Sequence, residues 1–316
     1  MVTIITSMPP TPPQRVIDEH VFGNSYRMAC LDSWKRFGSK VVSVNSDRES
    51  KHLREMLPDM ELFTVDSDGA EKGGKPLVLL DDLIQAANTM HSEVIAFTNA
   101  DIFLARVGTI TKLLINVTPG HAIVANRTNI ESLDKIQGVT YNGGYDLFIV
   151  HREDLNKIST NNNLYFGDPW WDYHALCNLI LSGVMVTALD SSHVLHLSHD
   201  FAFTWERWVD IGIATLEELN ATVIDGKYDK KNICSKELAG LIKRLLINVH
   251  RCGKPAYIHY ARMMSGRKPC KLEKNSLLKF AKSLEIFAEH SIGFQMAEQE
   301  QIALGCAELK VALSHN

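Results

Sequence analysis

The chain has 316 residues, 45% of them hydrophobic, enough to bury a full-sized core as one large domain or two unequal ones. A formal net charge of −4 and a pI near 6.4 leave no global basic surface, which argues against a dedicated duplex nucleic-acid binder. Six scattered cysteines with no CxxC pair, an opening "MVTIITSMPP" with only a short apolar run and no basic n-region, and no uncharged run of about 18 residues argue against a disulfide scaffold, a secretory leader and a membrane span. The expectation is a cytoplasmic protein with reduced thiols.

From the N-terminus to about residue 125, short β-rich runs alternate with helical ones. "VTIIT" predicts a strand over Val2 to Thr6, followed by a helix bearing Met28, Leu31, Trp34 and Phe37. "KVVSVN" (Lys40 to Asn45) leads into the helix "DRESKHLREML". "ELFTV" (Glu61 to Val65) precedes "PLVLLDDLIQAANTM", where Pro76 suits a first helical position. "EVIAFTNADIFL" and "HAIVANR" supply two more strands around the helix "VGTITKLLINV". After Gly143-Gly144 come "YDLFIVHRE", a helix opened by "GDPWWDYHAL", then "VMVTALD" and "HVLHLSHD". Near-continuous apolar strands alternating with helices predict an α/β fold with a mostly parallel sheet covered on both faces, and such sheets take ligands at the carboxyl ends of their strands.

From about residue 212 the alternation stops, and runs such as "SKELAGLIKRLLINV", "NSLLKFAKSLEIFAEH" and "MAEQEQIALGCAELKVAL" read as helices at 3.6 spacing. The boundary therefore falls between a sheet domain, 1–212, and an α-helical C-terminal region, 213–316. The apolar faces of these helices, as in Leu238, Leu241, Ile242, Leu245 and Val249, call for a partner surface on the first domain or on a second subunit. Lys and Arg between 242 and 272 form either a solvated face or one meeting an anionic acceptor or a peripheral membrane surface.

Two segments carry candidate chemistry. The strand "VIAFTNADIFL" ends by presenting Asn99 and Asp101 two residues apart on the ligand edge of the sheet, which suits a divalent cation carrying a diphosphate; an Asx turn is the plain alternative. In "VLHLSHDF", His196 and His199 lie three apart just after a strand, where a histidine could complete a cation site already supplied with oxygen ligands. They could equally be ordinary polar side chains. A zinc site of His193, His196 and His199 lacks the helical HExxH context.

The order "MACLDSWKRFG", "VVSVNSD", "KGGKPLVLLDDLIQAA", "VIAFTNADIFL", "GYDLFIVHRE", "LYFGDPWWDYHAL" and "VLHLSHDF" resembles the GT-A fold nucleotide-diphosphosugar glycosyltransferases over residues 1 to 205. The resemblance implies a Rossmann-like GT-A sheet and transfer of a sugar from a nucleotide-diphosphate donor to a hydroxyl of a glycan or glycolipid, as in surface polysaccharide biosynthesis. It makes "TNAD" the counterpart of the family's DxD motif, with Asp101 binding metal and phosphates and Asn99 standing where the first aspartate would be. It makes His199, with His196 as its neighbour, a contributor to a site for Mn2+ or Mg2+. Asp47 and Lys75 fall where nucleotide contacts are common, and Asp146, behind Gly143-Gly144, falls in the donor-sugar pocket. Asp172 takes the place of the general base of inverting members.

The plain alternative puts Asp172 in the first turn of its helix, favoured by the dipole, with Trp170 and Trp171 merely packing. Asp168 is expected to cap that helix, with Pro169 at its first position. A catalytically silent sugar-nucleotide or glycan binder competes with the enzyme reading because of Asn99. A nucleotidyltransferase fits less well, since the first strand leads into "SMPPTPPQ" and not into a Gly-rich phosphate loop.

Overall fold

The computed structural model describes residues 2–17, 19–37, 40–66, 68–70, 75–132, 137–141, 144–158, 164–199, 207, 211–212, 214–215 and 299–315. In chain order the elements are β1 (Val2–Thr6), β2 (Arg15–Ile17), β3 (His20–Phe22), α1 (Asn24–Arg36), β4 (Lys40–Ser46), α2 (Asp47–Met56), β5 (Glu61–Val65) and α3 (Leu80–Thr89). There follow β6 (Val94–Thr98), β7 (Phe103–Leu104), α4 (Val107–Leu113), β8 (His121–Ala125), β9 (Thr128–Ser132), β10 (Gln137–Thr140) and β11 (Leu147–His151). The last are α5 (Trp171–Leu181), β12 (Met185–Ala188), β13 (Val194–Leu197) and α6 (Gln299–His315).

Seven strands make the main sheet in the order β12-β8-β11-β6-β1-β4-β5. All pairs are parallel except those of β11, which runs antiparallel to both β6 and β8. The central strands β1 and β11 are buried almost throughout and largely apolar because both faces are covered. On one face Ile5, Phe97 and Phe148 pack with Leu83 of α3 and Leu176 of α5. On the other, Ile4 and Ala96 meet Trp34 of α1, Phe103 of β7 and Ile302 of α6. This is the mostly parallel, helix-flanked α/β sheet that the sequence predicts.

A second, four-stranded sheet, β10-β9-β13-β7, lies beside the first, and β9 and β10 within it were not anticipated. Two expected helix starts are also corrected. The α3 helix begins at Leu80 and not at Pro76, because the chain before it is held extended: Val78 O accepts from Phe166 N at 2.9 Å and Leu79 forms a bridge with Tyr165. Likewise α5 begins at Trp171, with Trp170 as its N-cap in the left-handed region (φ 76°); Pro169 is not its first residue and Asp168 does not cap it, since the Asp168 carboxylate is engaged by Arg207.

Within the C-terminal region, the predicted helix "MAEQEQIALGCAELKVAL" is present as α6. Its residues Ile302, Cys306 and Leu309, spaced to share one face, are buried against the second sheet and α1. Arg106 ties it down, its backbone N–H donating to Glu308 Oε2 at 2.9 Å and its guanidinium reaching Gln301. The expected helices at 235–249 and 275–290, and the basic stretch between them, lie outside the described residues. No helix among the described residues is long and apolar enough to cross a membrane.

Candidate active site

A cavity of about 560 Å³ opens at the carboxyl ends of β1 and β6, where a parallel sheet offers backbone and side chains to a ligand. The loop after β1 (Ser7 to Arg15), the β6 exit (Asn99 to Asp101), Arg127 beyond β8, Asp146 at the start of β11, and the N-terminus of α5 all line it. Because β11 is antiparallel, its amino end comes to this edge, which is what places Tyr145 and Asp146 there.

Asp101 is the centre of one cluster. Its Oδ2 lies 3.2 Å from His196 Nε2 and 3.3 Å from His199 Nε2, and it accepts from Arg15 Nη2 at 2.7 Å. The ligating atoms of Asp101, His196 and His199 all fall within 4.8 Å of one another. Arg15 is buried, stacked 5.0 Å from the Tyr26 ring, with its Nε donating to Leu197 O at 3.0 Å. Tyr26 in turn donates to the Asp101 carbonyl at 2.8 Å and accepts from Leu197 N at 3.1 Å, so α1 fixes the β6 exit against the end of β13. Burial by itself would raise the Asp101 carboxyl, but His196, His199 and Arg15 together hold it well below the usual carboxylate range. Burial lowers the His196 imidazole, against the opposing pull of the Asp101 carboxylate.

Asp146 and Asp172 form a second cluster. Asp146 Oδ1 accepts from Arg127 Nη1 at 2.9 Å and from Asn99 Nδ2 at 2.7 Å, while its buried Oδ2 has no hydrogen-bond partner among the described residues. Arg127 also stacks 4.3 Å from the Tyr141 ring. Asp172, 7% exposed, accepts from the Tyr145 backbone N–H at 2.7 Å through Oδ2. That oxygen lies so close to the backbone of Gly144 that a Cβ there would come within 2.4 Å of it, so position 144 has no room for a side chain. Burial, reinforced by the neighbouring Asp146 charge, pushes the Asp172 carboxyl up to about 7 against the pull of its backbone N–H donors.

The structure thus brings Asn99, Asp101, Asp146, Asp172 and His199 to one cavity wall, with His196 directly behind Asp101. Lys75 lines the cavity mouth and is exposed. Asp47 does not join them: it sits exposed in the first turn of α2, pairs with Lys51 at 2.6 Å, and is not among the lining residues. Sequence reading passed over Arg15, Arg127 and Asn129. Arg127 carried a usable signal, since it lies two residues beyond a strand end on the ligand edge, whereas Arg15 is carried in by a proline-rich loop that has no periodic pattern.

Could this arrangement hold a divalent cation? Two imidazole nitrogens and a carboxylate oxygen converge, with Asp101 a quarter exposed toward the cavity, and this is a donor set suited to a divalent transition metal. The residues fit such an ion. Asn99 is not part of that set; its amide is spent on Asp146.

No protein-family model matches the chain, and no curated protein does. Among solved structures it is similar to the mannosyltransferase PcManGT from Pyrobaculum calidifontis in complex with GDP-Man and Mn2+, at 14% identity over 90% of this chain and 86% of that one, TM-score 0.44. It is similar to TarS 1-349 from S. aureus at 11% identity, covering 90% of this chain and 88% of that one, TM-score 0.47. A third is Rv0371C from Mycobacterium tuberculosis H37Rv in complex with manganese, at 16% identity over 66% and 96% of the two chains, TM-score 0.38.

Proposed function

We propose that the chain is a glycosyltransferase that moves a sugar from a nucleotide-diphosphate donor to a hydroxyl on a glycan or glycolipid acceptor. The observation that carries this reading is the meeting, in one cavity, of a cation-binding cluster (Asp101, His196, His199) with a buried carboxyl, Asp172, raised to about 7. Transfer needs both. The acceptor oxygen forms a bond to the anomeric carbon as the bond to the diphosphate breaks, so a proton must leave the acceptor and negative charge must be stabilised on the leaving group. Asp172 takes the proton, and a carboxyl near 7 is matched to that task at neutral pH. Arg15, Arg127 and Lys75 place positive charge around the departing diphosphate. When bound, a divalent cation supplies Lewis-acid stabilisation of the diphosphate oxygens. The imidazole donors favour Mn2+ over Mg2+, which prefers an all-oxygen shell.

Asp172→Asn tests the enzyme reading against the silent binder. It should leave donor affinity within about threefold, roughly 0.6 kcal/mol, while transfer slows by about 100- to 10,000-fold, as for a lost acid/base group. Release of nucleoside diphosphate from a panel of nucleotide sugars, with and without acceptor, gives the rate. A wild-type protein that binds a donor yet never releases nucleoside diphosphate is a binder, and an Asp172→Asn variant as fast as wild type removes Asp172 from the chemistry.

A further inference from the structure

Asn129 stands on β9 between Arg127 and His196. Arg127 Nε, which keeps its proton at every accessible pH, lies 2.8 Å from one terminal atom of the Asn129 amide, so that atom is the carbonyl oxygen and not the nitrogen. The same oxygen lies 3.0 Å from His196 Nδ1. An amide oxygen can only accept, so Nδ1 must carry the proton. With Nδ1 turned to Asn129, Nε2 is the ring nitrogen that faces Asp101 Oδ2, 3.2 Å away, the oxygen that His199 Nε2 approaches at 3.3 Å.

We infer that Asn129 is a positioning residue for the cation site: braced by Arg127, it holds the proton on His196 Nδ1 and turns Nε2, the nitrogen that would ligate an ion, toward Asp101 and His199. Arg127 is itself pinned, through Nη1 on Asp146 and by stacking on Tyr141, so the brace runs from the acid cluster to the cation cluster without a break. A ligand histidine held this way loses no freedom when the ion binds, and partners of this kind are worth about 10- to 100-fold in metal affinity. The inference rests on reading Asp101, His196 and His199 as the cation site, and two separate readouts keep the two apart.

The first readout needs no metal. In full-length, metal-free protein carrying 15N-labelled histidine, long-range nitrogen–proton correlation spectra at pH 8 report which ring nitrogen of His196 holds the proton. A proton on Nδ1 is expected, and a wild-type His196 whose Nδ1 is unprotonated overturns the inference whatever the metal does. The second readout is a Mn2+ titration followed by electron paramagnetic resonance. Asn129→Leu should weaken Mn2+ binding by about 10- to 100-fold, while Asn129→Asp, which keeps an oxygen facing both Arg127 and His196, should stay within about threefold of wild type. An Asn129→Leu variant that folds and binds Mn2+ as tightly as wild type sinks the positioning role. A wild-type protein with the proton on His196 Nδ1 and no Mn2+ affinity removes the cation reading and leaves the proton assignment standing.

Discussion

Asp172 shows how a single side chain takes its chemistry from where the fold puts it. In the sequence it is an acidic residue in a helical first turn, and the structure agrees that it is there, yet a helix-dipole role alone does not require burial against Gly144 beside a second aspartate. The raised carboxyl has a consequence for stability. Between the unfolded value of about 3.9 and the folded value near 7, the native state holds a proton that the unfolded chain has released. Stability from this group is therefore fully present below about pH 4, declines as pH rises, and is lost above about 7. Asp172→Asn removes that titration, so the variant should gain on wild type between pH 4 and 8, by a few kcal/mol at most. Thermal unfolding of both proteins across that range reads it out, and parallel profiles would mean that the carboxyl is not raised. At this scale Asn99, Asp101, Asp172 and His199 were legible because strand ends and helix starts mark the ligand edge. Asp47 was misplaced by the same rule, since a polar residue after a strand can just as well cap and solvate the next helix, as its pair with Lys51 does.

The elements that escaped sequence reading are the short ones whose stability comes from partners distant in the chain. The β7 strand has two residues and exists because it pairs with β13, and β9 and β10 form a hairpin backed by α6. The starts of α3 and α5 were misread for a related reason: Pro76 and Pro169 are good local signals, but tertiary backbone pairing and the Asp168–Arg207 contact decide where those helices begin. The long runs β1, β4, β6 and α1 were plain because their apolar pattern alone sets their type. Since β9 carries Asn129, and Arg127 directly precedes it, the packing of α6 bears on the site. Gly138 of β10 marks the contact: a Cβ there would lie 2.5 Å from Thr128 and 3.0 Å from Ile302. Gly138→Ala should therefore destabilise the protein by about 1–3 kcal/mol through overpacking. Ile302→Ala should cost about 2–5 kcal/mol by leaving a cavity. Denaturant titration measures both, and a pair of neutral substitutions would show that α6 does not seat against this hairpin.

At the scale of the molecule, the described residues form a seven-stranded sheet with a four-stranded sheet beside it, and α6, from the far end of the chain, completes the core on one face. Removing residues 299–316 should therefore yield a protein that aggregates or melts well below the full chain. A truncated protein with an unchanged melting temperature would contradict that. The central claim is that the cavity binds a nucleotide-diphosphate sugar through a cation held at Asp101, His196 and His199. Thermal unfolding of wild type and Asp101→Asn against a panel of nucleotide sugars, with and without Mn2+, tests it most directly, because a ligand that binds only the folded state raises its stability by mass action. At least one nucleotide sugar should raise the wild-type melting temperature in the presence of Mn2+ and much less without it, and Asp101→Asn should lose the Mn2+-dependent part. A nucleotide sugar that stabilises both proteins equally, with or without Mn2+, or a panel in which none stabilises wild type, would contradict the account.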